Sequence, residues 1–201
     1  MSRKKKNSSP KIRSFIAISL PEELKESLGE FQARLKKAQA DVKWVRPASL
    51  HITLRFLGYL TPEEVEKAGK ALEKVAQKFS PFTIQLEGYG TFPERGRPRV
   101  IWTGISLGKD QLAQISQQLE KCLDDFGFPP ADKPFSPHLT LGRIKTGKNL
   151  NNLIKYLNKE GNKIYGKFPA KSIILYKSEL RPEGAIYSVI KQVGLGAQTE
   201  G

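Results

Sequence analysis

Along this chain, short unbroken apolar runs alternate with stretches in which apolar residues recur every three or four positions. Residues 14–20 form a run whose length suits a buried strand. Pro21 then opens a helix with Leu24, Leu28, Phe31 and Leu35 on one face. Trp44 and Val45 make a short extended piece before Pro47, and residues 51–57 predict a strand ended by Gly58. Thr61-Pro62-Glu63-Glu64 reads as a capping box with proline at the first helical position. The helix it opens carries Val65, Ala68, Leu72, Val75 and Phe79. Residues 82–86 alternate as a strand. A loop rich in Gly, Pro and Arg at 93–98 precedes a strand over 100–106. Leu112, Ile115, Leu119, Leu123 and Phe126 mark a helix closed by Gly127. A strand over 138–142, a short helix near 150–157 and a pair of strands at 172–176 and 185–193 complete the pattern. Residues 1–12 read as a disordered basic tail and 194–201 as a frayed end.

The order of these elements repeats. Ile18-Ser19-Leu20 recurs as Ile105-Ser106-Leu107, 87 residues on, and His51 and His138 are separated by the same 87. Matches at one offset inside the same element order predict a duplicated β-α-β-α-β unit. The expected fold class is α+β: one bilobal domain over 13–193, with pseudo-symmetric lobes of roughly 13–92 and 93–193.

Composition narrows the setting. A chain of 201 residues with 38% hydrophobic and 27% charged residues has the length and balance of one globular domain with a real core. No apolar run approaches the ~18 residues of a membrane span, so no membrane partner is expected. The basic start lacks an apolar stretch before the first strand, so no signal peptide is expected and the cytoplasm is the expected compartment. The single cysteine, Cys122, lies between Leu119 and Leu123 on an apolar helix face and reads as core. The net charge is +14, of which six charges (Arg3, Lys4, Lys5, Lys6, Lys11, Arg13) fall in the first 13 residues, leaving +8 for the rest. That balance favours nucleic acid or another polyanion, with the tail adding a weak, salt-sensitive attraction.

The chemistry enters with a phrase that occurs twice. Ser49-Leu50-His51-Ile52-Thr53-Leu54 and Ser136-Pro137-His138-Leu139-Thr140-Leu141 both read Ser-x-His-x-Thr-Leu, and they contain the chain's only 2 histidines. Composition alone would pair each histidine with such a threonine in about 0.2% of shuffled chains, so the repeat is not chance. In a strand, residues two apart share a face. His51 and Thr53 therefore line one face while Ile52 and Leu54 pack behind; His138 and Thr140 do the same over Leu139 and Leu141. Imidazole exchanges protons near neutral pH, and threonine offers a rotamer-restricted hydroxyl donor. Two acid/base groups and two donors suit phosphate chemistry without a metal. Two histidines and one cysteine fall short of a zinc ligand set, and neither a phosphate-binding loop nor a dinucleotide fingerprint occurs. No metal and no cofactor are expected.

At these residues the chain resembles the two-histidine phosphoesterases, and within them the RNA 2′,3′-cyclic phosphodiesterase family, also called the 2′-5′ RNA ligase family. The resemblance covers nearly the whole chain. It includes Arg13-Ser14-Phe15-Ile16-Ala17-Ile18 with Pro21, Trp44-Val45 with Pro47, and the first motif extended through Arg55-Phe56-Leu57-Gly58. It continues at Phe92-Pro93, Arg99-Val100-Ile101-Trp102 and the second motif extended through Gly142-Arg143. The implied fold has antiparallel sheets flanking a central cleft. The implied reaction is hydrolysis of a 2′,3′-cyclic phosphate at an RNA 3′ end to a 2′-phosphate; some members also join tRNA halves through a 2′-5′ bond. The resemblance makes His51 the proton donor and His138 the proton acceptor; the residues alone leave that assignment open. Thr53 and Thr140 would bind the phosphate oxygens.

Arg143, closing the second motif strand, is the first candidate for a phosphate-binding cation. Arg55, in register with His51 and Thr53, and Arg99, in the Arg97-Pro98-Arg99 loop, are further candidates for substrate contact. Trp44, Phe56 and Tyr176 are candidates for stacking on a terminal base. The expected partners are RNA 3′ ends or nucleotide cyclic phosphates, bound by a monomer. Competing readings keep the site but use a small nucleotide such as ADP-ribose cyclic phosphate, or keep the fold as a nonenzymatic RNA-binding module.

Overall fold

The computed structural model describes residues 10–182 and 184–196. Along the chain come β1 (Ile12–Ser19), α1 (Glu22–Lys36), β2 (Val42–Trp44), a 3-10 turn (Pro47–Ser49), β3 (His51–Leu60), α2 (Pro62–Ala76) and β4 (Phe82–Phe92). Then come β5 (Val100–Leu107), α3 (Lys109–Asp125), β6 (Leu139–Ile144), α4 (Leu150–Glu160), β7 (Ile164–Ala170), β8 (Ser172–Arg181) and β9 (Gly184–Gly194). The strands form two antiparallel sheets, ordered β3-β1-β8-β9 and β2-β6-β5-β4-β7. Among the described residues no helix is long and apolar enough to cross a membrane.

The helices form where the spacing places them. Leu24, Leu28, Phe31 and Leu35 are all buried on α1. The capping box opening α2 is complete: the Glu64 N–H donates to Thr61 Oγ, and the Thr61 N–H donates to the Glu64 carboxylate. Cys122 is buried on α3, as its position between two leucines predicts.

The repeated unit is present, but the lobes are not the two halves of the chain. The 87-residue offset carries β1 onto β5, α1 onto α3, β3 onto β6 and α2 onto α4. The last strand of each unit crosses over: β4 pairs with β5, and β8 pairs with β1. The first helix crosses too, since α1 packs against α4 and β7, whereas α3 packs against α2 and β3. The expected boundary between 92 and 93 is therefore corrected. Local periodicity reveals the unit; long-range pairing decides which sheet a strand joins.

Both motif strands carry the same irregularity. In the first sheet Ile16 lies opposite Arg55 and Ala17 opposite Thr53, so Leu54 is an extra, unpaired residue. In the second, Ile101 lies opposite Gly142 and Trp102 opposite Thr140, so Leu141 is the extra one. Such a bulge puts two consecutive residues on one face and reverses the alternation beyond it. Leu54 and Arg55 are both buried, as are Leu141 and Gly142, and the next residues, Phe56 and Arg143, are exposed on the face of the histidines. The crossing helices hold both bulges. Gln32 of α1 donates to the Leu141 carbonyl at 2.8 Å, and Ser116 of α3 donates to the Leu54 carbonyl at 3.4 Å.

Three further expectations change. The strand from His51 does not stop at Gly58; with φ of 75° there and Leu57 unpaired, a second bulge lets it run to Leu60. The edge strand β7 was not expected, because Gly166 and Pro169 interrupt its apolar pattern; an edge position tolerates the missing proline N–H. At the C-terminus, residues 194–196 are anchored rather than frayed: Leu195 is buried and donates to the Lys171 carbonyl, and Gly196 donates to that of Ala76. Ile12 already belongs to β1, Pro10 and Lys11 before it are exposed, and residues 1–9 and 197–201 of the expected tails lie outside the described residues.

Candidate active site

Strands β3 and β6 approach one another across the middle of the molecule, bringing the two motifs together. Each histidine is held by its own local sequence. The carbonyl of Ser49 lies 2.8 Å from His51 Nδ1, and that of Ser136 lies 2.7 Å from His138 Nδ1. A carbonyl can only accept, so Nδ1 carries the proton and Nε2 keeps the lone pair in both rings. The serine of the Ser-x-His phrase thus acts through its backbone. Two identically held imidazoles, each able to take or give a proton at Nε2, are what this arrangement supplies.

The walls around them are aromatic. Phe15 packs against His51 with ring centroids 4.8 Å apart, and Tyr187 meets the same ring edge-on at 5.1 Å. Phe92 meets His138 edge-on at 5.1 Å, with Trp102 at 6.4 Å. Phe15 and Trp102 are again 87 residues apart, so the same offset that pairs the histidines also marks the aromatic wall beside each of them. Trp102 lies against Gly90, where a Cβ would overlap the indole. A depression beside His138 is lined by Phe92, Trp102, Glu87, Glu94, Lys109 and Asn162, among others.

Burial in these walls weakens the hold of both imidazoles on an added proton. Desolvation pushes His51 down to about 4, with Arg143 adding to the effect and the Ser49 carbonyl opposing it. His138 is lowered for the same reasons, burial first and Arg143 after it, against the Ser136 carbonyl. Arg143 therefore acts on both rings. Its place follows from the Leu141 bulge: without the extra residue, the alternation from His138 and Thr140 would turn Arg143 toward the core.

The same bulge in β3 removes Arg55 from the cleft. Arg55 is buried on the core face, ion-paired to Glu120 of α3 and donating to the carbonyls of Phe56 and Pro129. Phe56 takes the cleft position instead, its ring 6.0 Å from that of Phe15. Tyr176 also faces the cleft, stacked on Phe15 at 5.2 Å. Trp44 packs against the core beside Gly142, where a Cβ would come 3.0 Å from its ring, and is not part of the cleft. Arg99 is exposed at the start of the β5–β6 ladder, where its carbonyl accepts from the Ile144 N–H. Thr53 and Thr140 are half-buried beside their histidines. Among the described residues, no group of three or more His, Cys, Asp or Glu side chains is placed to hold a metal ion.

The family model described as LigT-like phosphoesterase matches residues 18–102 and 106–187, and each stretch holds one of the two tetrapeptides. An RNA 2′,3′-cyclic phosphodiesterase of Methanocaldococcus jannaschii is 36% identical over 181 residues, covering 90% of this chain and 99% of the relative. One of Aquifex aeolicus is 36% identical over 193 residues, covering 92% and 98%. Among solved structures, the chain superimposes on a crystal structure from Thermus thermophilus with a TM-score of 0.76 at 28% identity, covering 93% of this chain and all of the other. It superimposes on Escherichia coli LigT complexed with 3′-AMP with a TM-score of 0.69 at 25% identity, covering 92% and 98%.

Proposed function

The chain belongs to the LigT-like phosphoesterases, and on that premise we propose that it is an RNA 2′,3′-cyclic phosphodiesterase that opens the ring with its two histidines. The observation that carries the reading is the symmetric pair of imidazoles, both held through Nδ1 by a backbone carbonyl and both under the charge of Arg143. His138 Nε2 takes a proton from water as the water oxygen bonds to phosphorus. The P–O3′ bond breaks, and His51 Nε2 gives its proton to the departing 3′ oxygen. The product carries a 2′-phosphate and a free 3′-hydroxyl. Thr53 and Thr140 donate to the non-bridging oxygens, and Arg143 offsets the charge that grows there; a donor of this kind contributes on the order of 10²–10³ in rate. With a 5′-hydroxyl in place of water, the same step forms a 2′-5′ bond.

The two environments support this division of labour. The more dehydrated His51 is the stronger acid once protonated, and His138 is the better base. The anionic phosphodiester itself favours a proton on His51 when substrate binds. One chain supplies both histidines, both threonines and Arg143, which supports a monomer as the working unit. The test is incubation of a short RNA ending in a 2′,3′-cyclic phosphate with the protein in EDTA, followed by location of the product phosphate. A 2′-phosphate is expected, with His51→Ala and His138→Ala each lowering the rate by at least ~10². A 3′-phosphate product, or turnover that returns only with added metal, would overturn the mechanism.

A further inference from the structure

Beyond Phe56, the cleft face of the first sheet carries groups that the ring-opening step does not use. The second bulge in β3, at Leu57, again reverses the alternation: Leu57 packs against the core, Leu60 is buried, and Tyr59 is turned to the face shared by His51, Thr53 and Phe56. Phe56 lies opposite Phe15 and Tyr59 opposite Arg13. Both aromatic side chains are open to solvent, Phe56 at 52% and Tyr59 at 61%. Arg13 is held in place by its hydrogen bond to Ser178 Oγ at 2.7 Å, and its charge reaches Tyr187 beside His51.

We propose that Phe56, Tyr59 and Arg13 form a stacking track for the nucleotides immediately 5′ of the cyclic phosphate. The inference rests on the RNA phosphodiesterase reading and names the substrate form within it: a single-stranded oligonucleotide rather than a lone nucleotide. Three observations carry it. The track is continuous with the catalytic cleft, because the Phe15 ring touches His51 at one end and Phe56 at the other. Its chemistry is that of single-strand binding, sequence-tolerant aromatic faces with a fixed guanidinium beside them, on a chain of net charge +14. Its spacing fits as well. Phe15 and Arg13 are two residues apart on one strand, roughly 6.8 Å, and lie opposite Phe56 and Tyr59, so one short single strand can reach all four.

The pseudo-symmetry sharpens the assignment. The positions 87 residues beyond Phe56 and Tyr59 hold Arg143 and Thr146. One wall of the cleft therefore offers a cation where the other offers an aromatic ring. The wall with Arg143 suits the phosphate, and the wall with Phe56 suits bases.

The test is equilibrium binding of a tetranucleotide ending in a 2′-phosphate against the matching nucleoside 2′-monophosphate, with turnover of the two cyclic-phosphate forms measured alongside. Wild type should bind the tetranucleotide at least ~10-fold more tightly, and Tyr59→Ala should remove about 10-fold of that preference while Tyr59→Trp keeps it, as base–aromatic stacking requires. A wild type without preference, or a Tyr59→Ala protein with the preference intact, would overturn the track. Absent turnover with the binding preference preserved would sink the hydrolytic reading and leave the track standing.

Discussion

At the residue scale, function turns on where protons sit. Burial lowers both imidazoles below their ordinary value, His51 to about 4. The proposed chemistry needs a proton on His51 and none on His138. In the free protein, raising the pH removes the first proton and lowering it blocks the second. Both lowered values therefore place the maximum of kcat/KM below pH 6.5, with a falling alkaline limb. In the complex the anionic phosphate favours the protonated rings, so the kcat profile should lie at higher pH than the kcat/KM profile. A kcat/KM still climbing above pH 7 would contradict this picture. Arg55 makes a contrasting case. Paired with Glu120 on the core face, it is structural, so Arg55→Met should lower stability by about 1–3 kcal/mol and leave KM for a cyclic-phosphate substrate unchanged. A raised KM at full stability would return it to the cleft. The histidines and threonines were readable because polar residues on an apolar strand have no packing reason to recur. Phe15, Trp102 and Tyr187 were not, because an aromatic residue in a strand looks the same whether it lines a core or a cleft.

At the element scale, the strands and helices followed from apolar spacing, but the bulges did not. An extra residue leaves no mark on a run such as Leu139-Thr140-Leu141-Gly142, where both bulged positions are compatible with a core face. Yet the bulge decides that Arg143 enters the site and Arg55 leaves it. The support for β6 comes from α1: Gln32, fully buried, donates at 2.8 Å to the carbonyls of both Val45 and Leu141. Gln32→Leu keeps the volume and removes the donor. It should destabilise the fold by about 1–3 kcal/mol, read as a lower denaturation midpoint. It should also reduce activity through loss of the Arg143 position, with kcat falling more than KM changes. An unchanged midpoint would show that other contacts hold the bulge.

At the scale of the whole molecule, duplication and crossover together build the cleft. Each sheet takes two strands from one unit and the closing strand from the other; α2 and α3 cover the first sheet, and α1 packs on β7 of the second and against α4. The repeat could be read from an 87-residue offset, whereas the crossover could not, since β4 and β8 carry apolar patterns that suit either sheet. The consequence is cooperative. A fragment of residues 1–92 keeps β1 but loses β8, its neighbour on the side away from β3, and keeps α1 without the α4 and β7 surface it packs on. Its apolar faces would then have nothing to bury against, and a sheet lacking its central partner is marginal in water. The full chain, with one continuous core spanning both sheets, should unfold in a single transition. The 1–92 fragment should show no cooperative thermal transition by circular dichroism, and mixing it with a 93–201 fragment should restore one. If the first fragment melts cooperatively by itself, the repeated units are independent and the crossover is not what holds the two histidines together.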